Sequence, residues 1–140
     1  MSAAEVSAFW DEHFPQIQAG RDYSIVSVST GAALLRLNPD ERHLRPGGTI
    51  SGPALFTLAD VAAYAVLLAH LGPEPLIVTT NLTMNFLRRP PLAPLLGDCR
   101  ILKPGKRLAV VEVGIRPEAG GDLLAHATGT YSVPPPAAVL

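Results

Sequence analysis

Hydrophobic positions change their period along this chain, and each change marks an element. Residues 3–13 place Val6, Phe9, Trp10 and His13 on one face of a short helix, with Ser2 as N-cap and Pro15 beyond its end. From Tyr23 to Ser29 the pattern alternates and predicts a strand. Gly31 marks a turn, Ala33 to Leu37 reads as a second strand, and Asn38-Pro39-Asp40 ends the hairpin. A loop from Glu41 to Ser51, rich in Arg, Pro and Gly, leads into a run from Ala54 to Leu71 that is apolar almost throughout. Pro53 suits the first turn of that helix, Ser51 or Gly52 its cap, and Gly72-Pro73 its stop. Period two then returns. Leu76, Val78, Thr80, Leu82, Met84 and Phe86 fall on one strand face, and Ile77, Thr79, Asn81, Thr83 and Asn85 on the other, until Arg88-Arg89-Pro90-Pro91 breaks the strand. Three more strands are predicted over 97–103, 108–116 and 122–133, with turns at Pro104-Gly105 and Gly120-Gly121. Pro134-Pro135-Pro136 closes the pattern.

The order is helix, two strands, long helix, four strands. It predicts an α+β fold in which about six antiparallel strands wrap one long central helix. A helix apolar on all sides must be covered on all sides. A curved sheet covers one side, and a second subunit is expected over the rest. The organisation expected is an N-terminal helical segment over 1–20, one domain over 21–134 and a tail over 135–140.

Composition narrows the function classes. The chain has 140 residues and is 48% hydrophobic, which for so small a protein favours apolar surface buried between like subunits. A net charge of −1 gives no electrostatic reason to expect nucleic acid or an anionic membrane as partner. The span 50–71 approaches the ~20 residues that cross a bilayer. It contains Gly52, Pro53 and Asp60, however, and a mid-helix Asp costs roughly 3 kcal/mol on insertion. Strands follow it directly, so a core helix is expected. The single cysteine, Cys99, cannot form an internal disulfide, and Glu5, Asp11 and Glu12 are unlike a secretory leader. A cytoplasmic location is the expectation.

Asp60 is the one ionisable carboxylate in the apolar run, and no Lys or Arg lies within a helical turn of it. A carboxylate there carries a desolvation cost unless it is paired, protonated or placed at a cavity. That makes it a candidate general base or nucleophile. Thr57 and Tyr64 share its helix face. Thr57 reads as packing, whereas Tyr64 is a candidate lining residue of a pocket. His13, His43, His70 and His126 lack metal-ligand spacing, so no metal site is expected. His43 reads as an exposed loop histidine near the helix entrance.

The run from Gly48 to Asp60 (GTISGPALFTLAD) resembles the helix-entry motif of hotdog-fold thioesterases of the phenylacetate-degradation, PaaI-like group, N-x-x-G-x-x-H-G-G-x-x-x-x-L-x-D. Thr79 to Arg88 resembles that family's third strand, and the runs 103–109 and 127–131 resemble its last hairpins. Gly48, Gly52, Leu58 and Asp60 match the motif. Arg45 stands where the pattern has Asn, Ser51 where it has His, and Pro53 where it has the second Gly. The resemblance implies a hotdog fold and an acyl-CoA thioesterase acting on an aryl- or short/medium-chain acyl group, without cofactor. Asp60 is then base or nucleophile, the Gly52 N–H binds the thioester carbonyl, and Thr79 assists the carboxylate. Substrate contacts are expected from Arg45, Ser51 and Tyr64, with Arg88 and Lys106 meeting the phosphates of CoA. The departures at Arg45, Ser51 and Pro53 leave room for an alternative, an acyl-CoA-binding protein without catalysis. Gly52 and Asp60 stand eight residues apart, roughly 12 Å along a helix, so one chain cannot apply both to one carbonyl. A homodimer is therefore the minimum, and a homotetramer built as a dimer of dimers is expected.

Overall fold

The computed structural model describes residues 1–17 and 21–135. Helix α1 (Ala3–His13) starts at Ser2, whose hydroxyl accepts from the Glu5 N–H while the Glu5 carboxylate accepts from the Ser2 N–H. Strands β1 (Tyr23–Ser29) and β2 (Ala32–Leu37) form the expected hairpin. Helix α2 (Gly52–Leu71) follows, then β3 (Val78–Phe86), β4 (Leu95–Pro104), β5 (Leu108–Pro117) and β6 (Ala125–Ser132). All six strands join one antiparallel sheet in the order β1-β2-β4-β5-β6-β3. The sheet curves around α2, which is the hotdog arrangement. β3, though the first strand after the helix, forms an outer edge and pairs only with β6.

Helix α2 owes its length to its ends. Ser51 caps it, Pro53 occupies the first turn, and the Gly72 N–H closes on the Leu68 carbonyl. Eleven of its residues are buried in the single chain, among them Leu55, Leu58, Ala62, Val66 and Leu68. It is long and apolar enough to cross a membrane, but its surroundings make it a core helix. The expected need for a partner over its far side is met in part from within. Val6, Phe9 and Trp10 of α1 are buried in the same core, and the Met1 ammonium donates to the Ala69 carbonyl at 3.0 Å, near the negative end of the helix. Leu58 lies at the centre, fully buried against β4, with its Cγ 3.2 Å from where a Cβ on Gly97 would stand. Leu58→Ala leaves a cavity that neither helix nor sheet can close. It is expected to lower unfolding free energy by about 2–5 kcal/mol, read as a shift in the urea midpoint at constant slope.

The strict alternation predicted for β3 does not hold. Thr79 pairs with Tyr131 but Asn81 pairs with Thr130, so Thr80 is an extra residue, a β-bulge, and its hydroxyl donates to the Thr130 carbonyl at 2.8 Å. Beyond it Leu82, Met84 and Phe86 oppose Gly129, Ala127 and Ala125 on the inner face. Before it Thr79 opposes buried Tyr131 on the same inner face. The bulge thus moves Thr79 to the side of the sheet that faces α2. Other boundaries shift less: β3 starts two residues after Leu76, β4 two residues before Gly97, and β6 three residues after Asp122. Pro136 and the expected tail beyond it, with residues 18–20, lie outside the described residues.

Candidate functional site

Asp60 projects from the middle of α2 and is half-buried. Its Oδ1 accepts two hydroxyl hydrogen bonds, from Thr79 at 2.8 Å and from Tyr131 at 2.7 Å. Its Oδ2 has no hydrogen-bond partner among the described residues and is not sealed from solvent. The carboxylate opens into a cleft of about 260 Å³. Thr57, Val61 and Tyr64 line that cleft from α2, Tyr23 from β1, and Phe14, Gln16 and Ile17 from the segment after α1. Thr57 serves the fold, since its hydroxyl donates to the Pro53 carbonyl at 3.0 Å. Burial pushes the phenols of Tyr131, Tyr23 and Tyr64 upward, and for Tyr131 the neighbouring Asp60 charge adds to it. At neutral pH Tyr131 is therefore an O–H donor.

A second cleft, of about 560 Å³, lies at the N-terminus of α2. Gly52, Ile50, Leu55 and Phe86 supply its apolar side, and Arg45, Arg88 and Arg89 its charge. The Gly52 N–H, in the first turn at the positive end of the helix, makes no hydrogen bond among the described residues. Arg45 opens a tight turn in which its N–H donates to the Thr49 carbonyl at 2.9 Å and its carbonyl accepts from the Gly48 N–H at 3.1 Å. Its side chain is exposed and has no acidic partner among the described residues. Arg88 stands 3.6 Å from the exposed Asp122 carboxylate. Arginines beside the one unpaired first-turn N–H, that of Gly52, make a site suited to phosphate or carboxylate oxygens.

The expected site residues thus fall into two groups on one chain. Asp60 and Tyr64 line one cleft, with Thr79 bonded to Asp60, and Gly52, Arg45 and Arg88 line the other. Ser51 lines neither, because its hydroxyl is turned to accept from the Ala54 N–H at 3.3 Å. Lys106 stands exposed in the turn between β4 and β5 and also lines neither. Two residues depart from expectation. Tyr131 was not foreseen; the readable signal was its position after Ala125, Ala127 and Gly129 on one strand face, a row too small to fill the space beneath it. His43, expected exposed, is buried at 7%. Its Nδ1 accepts from the Asp40 N–H at 2.9 Å and its carbonyl accepts from the Ser51 N–H at 2.7 Å, so it ties the entry loop to the helix cap. No group of three or more metal-ligating side chains occurs among the described residues.

Comparisons with known proteins bear on the family and the fold. A family model described as the thioesterase superfamily matches residues 47–124, which span α2, β3, β4, β5 and the approach to β6. A candidate thioesterase of Silicibacter sp. TM1040 is 47% identical, with 96% of this chain and 93% of that one covered at a TM-score of 0.87. A candidate thioesterase of Ralstonia eutropha JMP134, described as related to phenylacetic acid degradation, is 26% identical over 78% of this chain and 83% of that one, with a TM-score of 0.72. A Streptococcus mutans UA159 protein whose structure has acetyl-CoA bound is 25% identical over 83% of this chain and 91% of that one, with a TM-score of 0.74. With the helix-entry motif, the sheet order and the family match in agreement, this hotdog chain belongs to the thioesterase superfamily.

Proposed function

We propose that this chain is a cytoplasmic acyl-CoA thioesterase that hydrolyses an aryl- or short/medium-chain acyl-CoA to the free acid and CoA. The observation that carries it is Asp60, with one oxygen held by two hydroxyls and the other open to a cleft walled by Phe14, Tyr23 and Tyr64. That cleft suits a compact apolar or aromatic acyl group. The Gly52 cleft suits the other half of the substrate: its arginines match phosphate oxygens and its apolar side matches a pantetheine arm. Acetyl-CoA in the Streptococcus mutans relative supports that class.

The two clefts complete each other between subunits. Strand β3 connects to both, since Thr79 near one end bonds Asp60 and Phe86 at the other lines the Gly52 cleft. A second copy paired antiparallel along this free edge, about a two-fold axis near its middle, brings each Thr79 towards the partner subunit's Phe86. The exposed apolar side chains Val78, Phe86 and Leu87 along that edge support such pairing. The homodimer then holds two equivalent sites, and a dimer of dimers is the proposed assembly.

In each site the Gly52 N–H of one subunit polarises the thioester carbonyl and stabilises the developing oxyanion. Asp60 of the other takes a proton from the attacking water as the C–O bond forms, or attacks the carbonyl carbon itself. Collapse of the tetrahedral centre breaks the C–S bond and releases CoA thiolate, which takes the proton that Asp60 removed from water, or on the direct route a proton from solvent. After direct attack the mixed anhydride left on Asp60 is opened by water at the Asp60 carbonyl, giving the free acid and the carboxylate. Incorporation of 18O into Asp60 in a single turnover in labelled water identifies the direct attack.

The test is release of free thiol from a panel of aryl- and alkyl-CoA esters. Turnover of at least one class is the expected result. Binding of the esters without turnover overturns the enzyme and leaves an acyl-CoA-binding protein. Within the same panel Arg45→Asn is expected to reorder the preferred acyl groups while retaining hydrolysis, because a guanidinium offers only donors where an amide offers both donor and acceptor. An unchanged ranking refutes a role for Arg45 in substrate choice.

A further inference from the structure

We infer that Tyr131 positions Asp60 for the reaction, acting with Thr79 to orient the carboxylate, an inference that rests on the thioesterase reading above. Both hydroxyls donate to the same oxygen, Oδ1, and they come from paired positions on neighbouring strands. Two donors on one oxygen fix the plane of the carboxylate. They leave Oδ2, which has no hydrogen-bond partner among the described residues, as the oxygen that meets water or substrate. No Lys or Arg lines the cleft, so the two hydroxyls are the groups that hold the carboxylate there.

The strand is shaped for this contact. A Cβ on Gly129 would stand 3.0 Å from Cε1 of Tyr131 and 2.9 Å from Cδ1 of Leu82. Only a glycine there leaves room for the phenol ring to lie along the sheet and reach across to α2. Tyr131 is 2% exposed, so its hydroxyl has little water to bond in place of Asp60. The other ionisable groups nearby are the phenols of Tyr23 and Tyr64 in the same cleft and the Cys99 thiol beside Tyr131, and burial pushes all three upward, keeping them neutral. The donors to Asp60 are therefore Thr79 and Tyr131.

The experiment measures kcat and KM on the preferred acyl-CoA for wild type, Tyr131→Phe, Thr79→Val and Asp60→Asn, with a thermal melt of each. Tyr131→Phe keeps the ring and loses one hydrogen bond to the carboxylate, so kcat is expected to fall about 30-fold with KM little changed. Thr79→Val, which removes the other donor to the same oxygen, is expected to lower kcat in the same way. Gly129→Ala, which retains the phenol but displaces its ring, is expected to move kcat in the same direction. A merely structural tyrosine would lower stability and leave kcat of the folded protein in place. Wild-type turnover that Asp60→Asn abolishes, with Tyr131→Phe unchanged in kcat, overturns this inference and leaves the thioesterase reading standing. A wild-type chain inert toward the whole panel overturns both.

Discussion

Replacing Asp60 with asparagine is expected to reduce kcat by roughly a thousandfold or more while the protein keeps its fold. The amide has the same shape, and its oxygen can still accept from Thr79 and Tyr131, so the polar contacts around position 60 persist. What is lost is the anionic Oδ2, the group that takes the proton or attacks the carbonyl. Stability should be unchanged or slightly higher, because a neutral side chain replaces a charge in a half-buried position on an apolar helix. Steady-state thiol release together with a thermal melt checks both parts. Retention of more than a tenth of wild-type kcat in a folded Asp60→Asn protein would remove Asp60 from the chemistry.

The second large effect concerns the division of the site between subunits. Gly52→Pro deletes the N–H proposed to bind the carbonyl oxygen. It is compatible with the helix start, because Ser51 already has the extended conformation preferred before proline. A Cβ at position 52 meets the Phe86 ring at 3.5 Å, an ordinary contact. Loss of one oxyanion donor lowers kcat by about a hundred- to a thousandfold. Equal amounts of Gly52→Pro and Asp60→Asn chains, unfolded together and refolded, should then regain about a quarter of wild-type activity. Half of the dimers are mixed, and each mixed dimer has one of its two sites intact. A mixture no more active than its parts would show that each chain contains its own complete site.

Asp60 was legible because a lone carboxylate in an apolar helix has few physical explanations. The six strands were legible because alternation and turn residues agree along most of the chain. Thr79 is a different case. Simple alternation puts it on the face of β3 opposite Leu82 and Met84, and only its place in the third-strand motif pointed towards Asp60. A bulge depends on how two strands pair, and strand pairing is not written in the local pattern of either one. Tyr131 escaped notice for a related reason. Its reach depends on the empty space over Gly129 and on the neighbour β6 receives, and β6 receives β3 from across a long stretch of sequence. His43 was misread because its burial follows from a backbone bond to Asp40 and the packing of Tyr23, features of a folded loop.

The extra residue in β3 makes the length of that strand part of the chemistry. Deleting Thr80 changes no group that touches Asp60. It resets the phase of the pleat, turning Thr79 to the outer face while Tyr131 stays in place, so Asp60 is left with one donor. Substitution scans cannot detect such a dependence, because every substitution preserves the residue count between Thr79 and Leu82. Scans that remove or add single residues along β3 can, and they would separate what the site requires in chemical groups from what it requires in spacing.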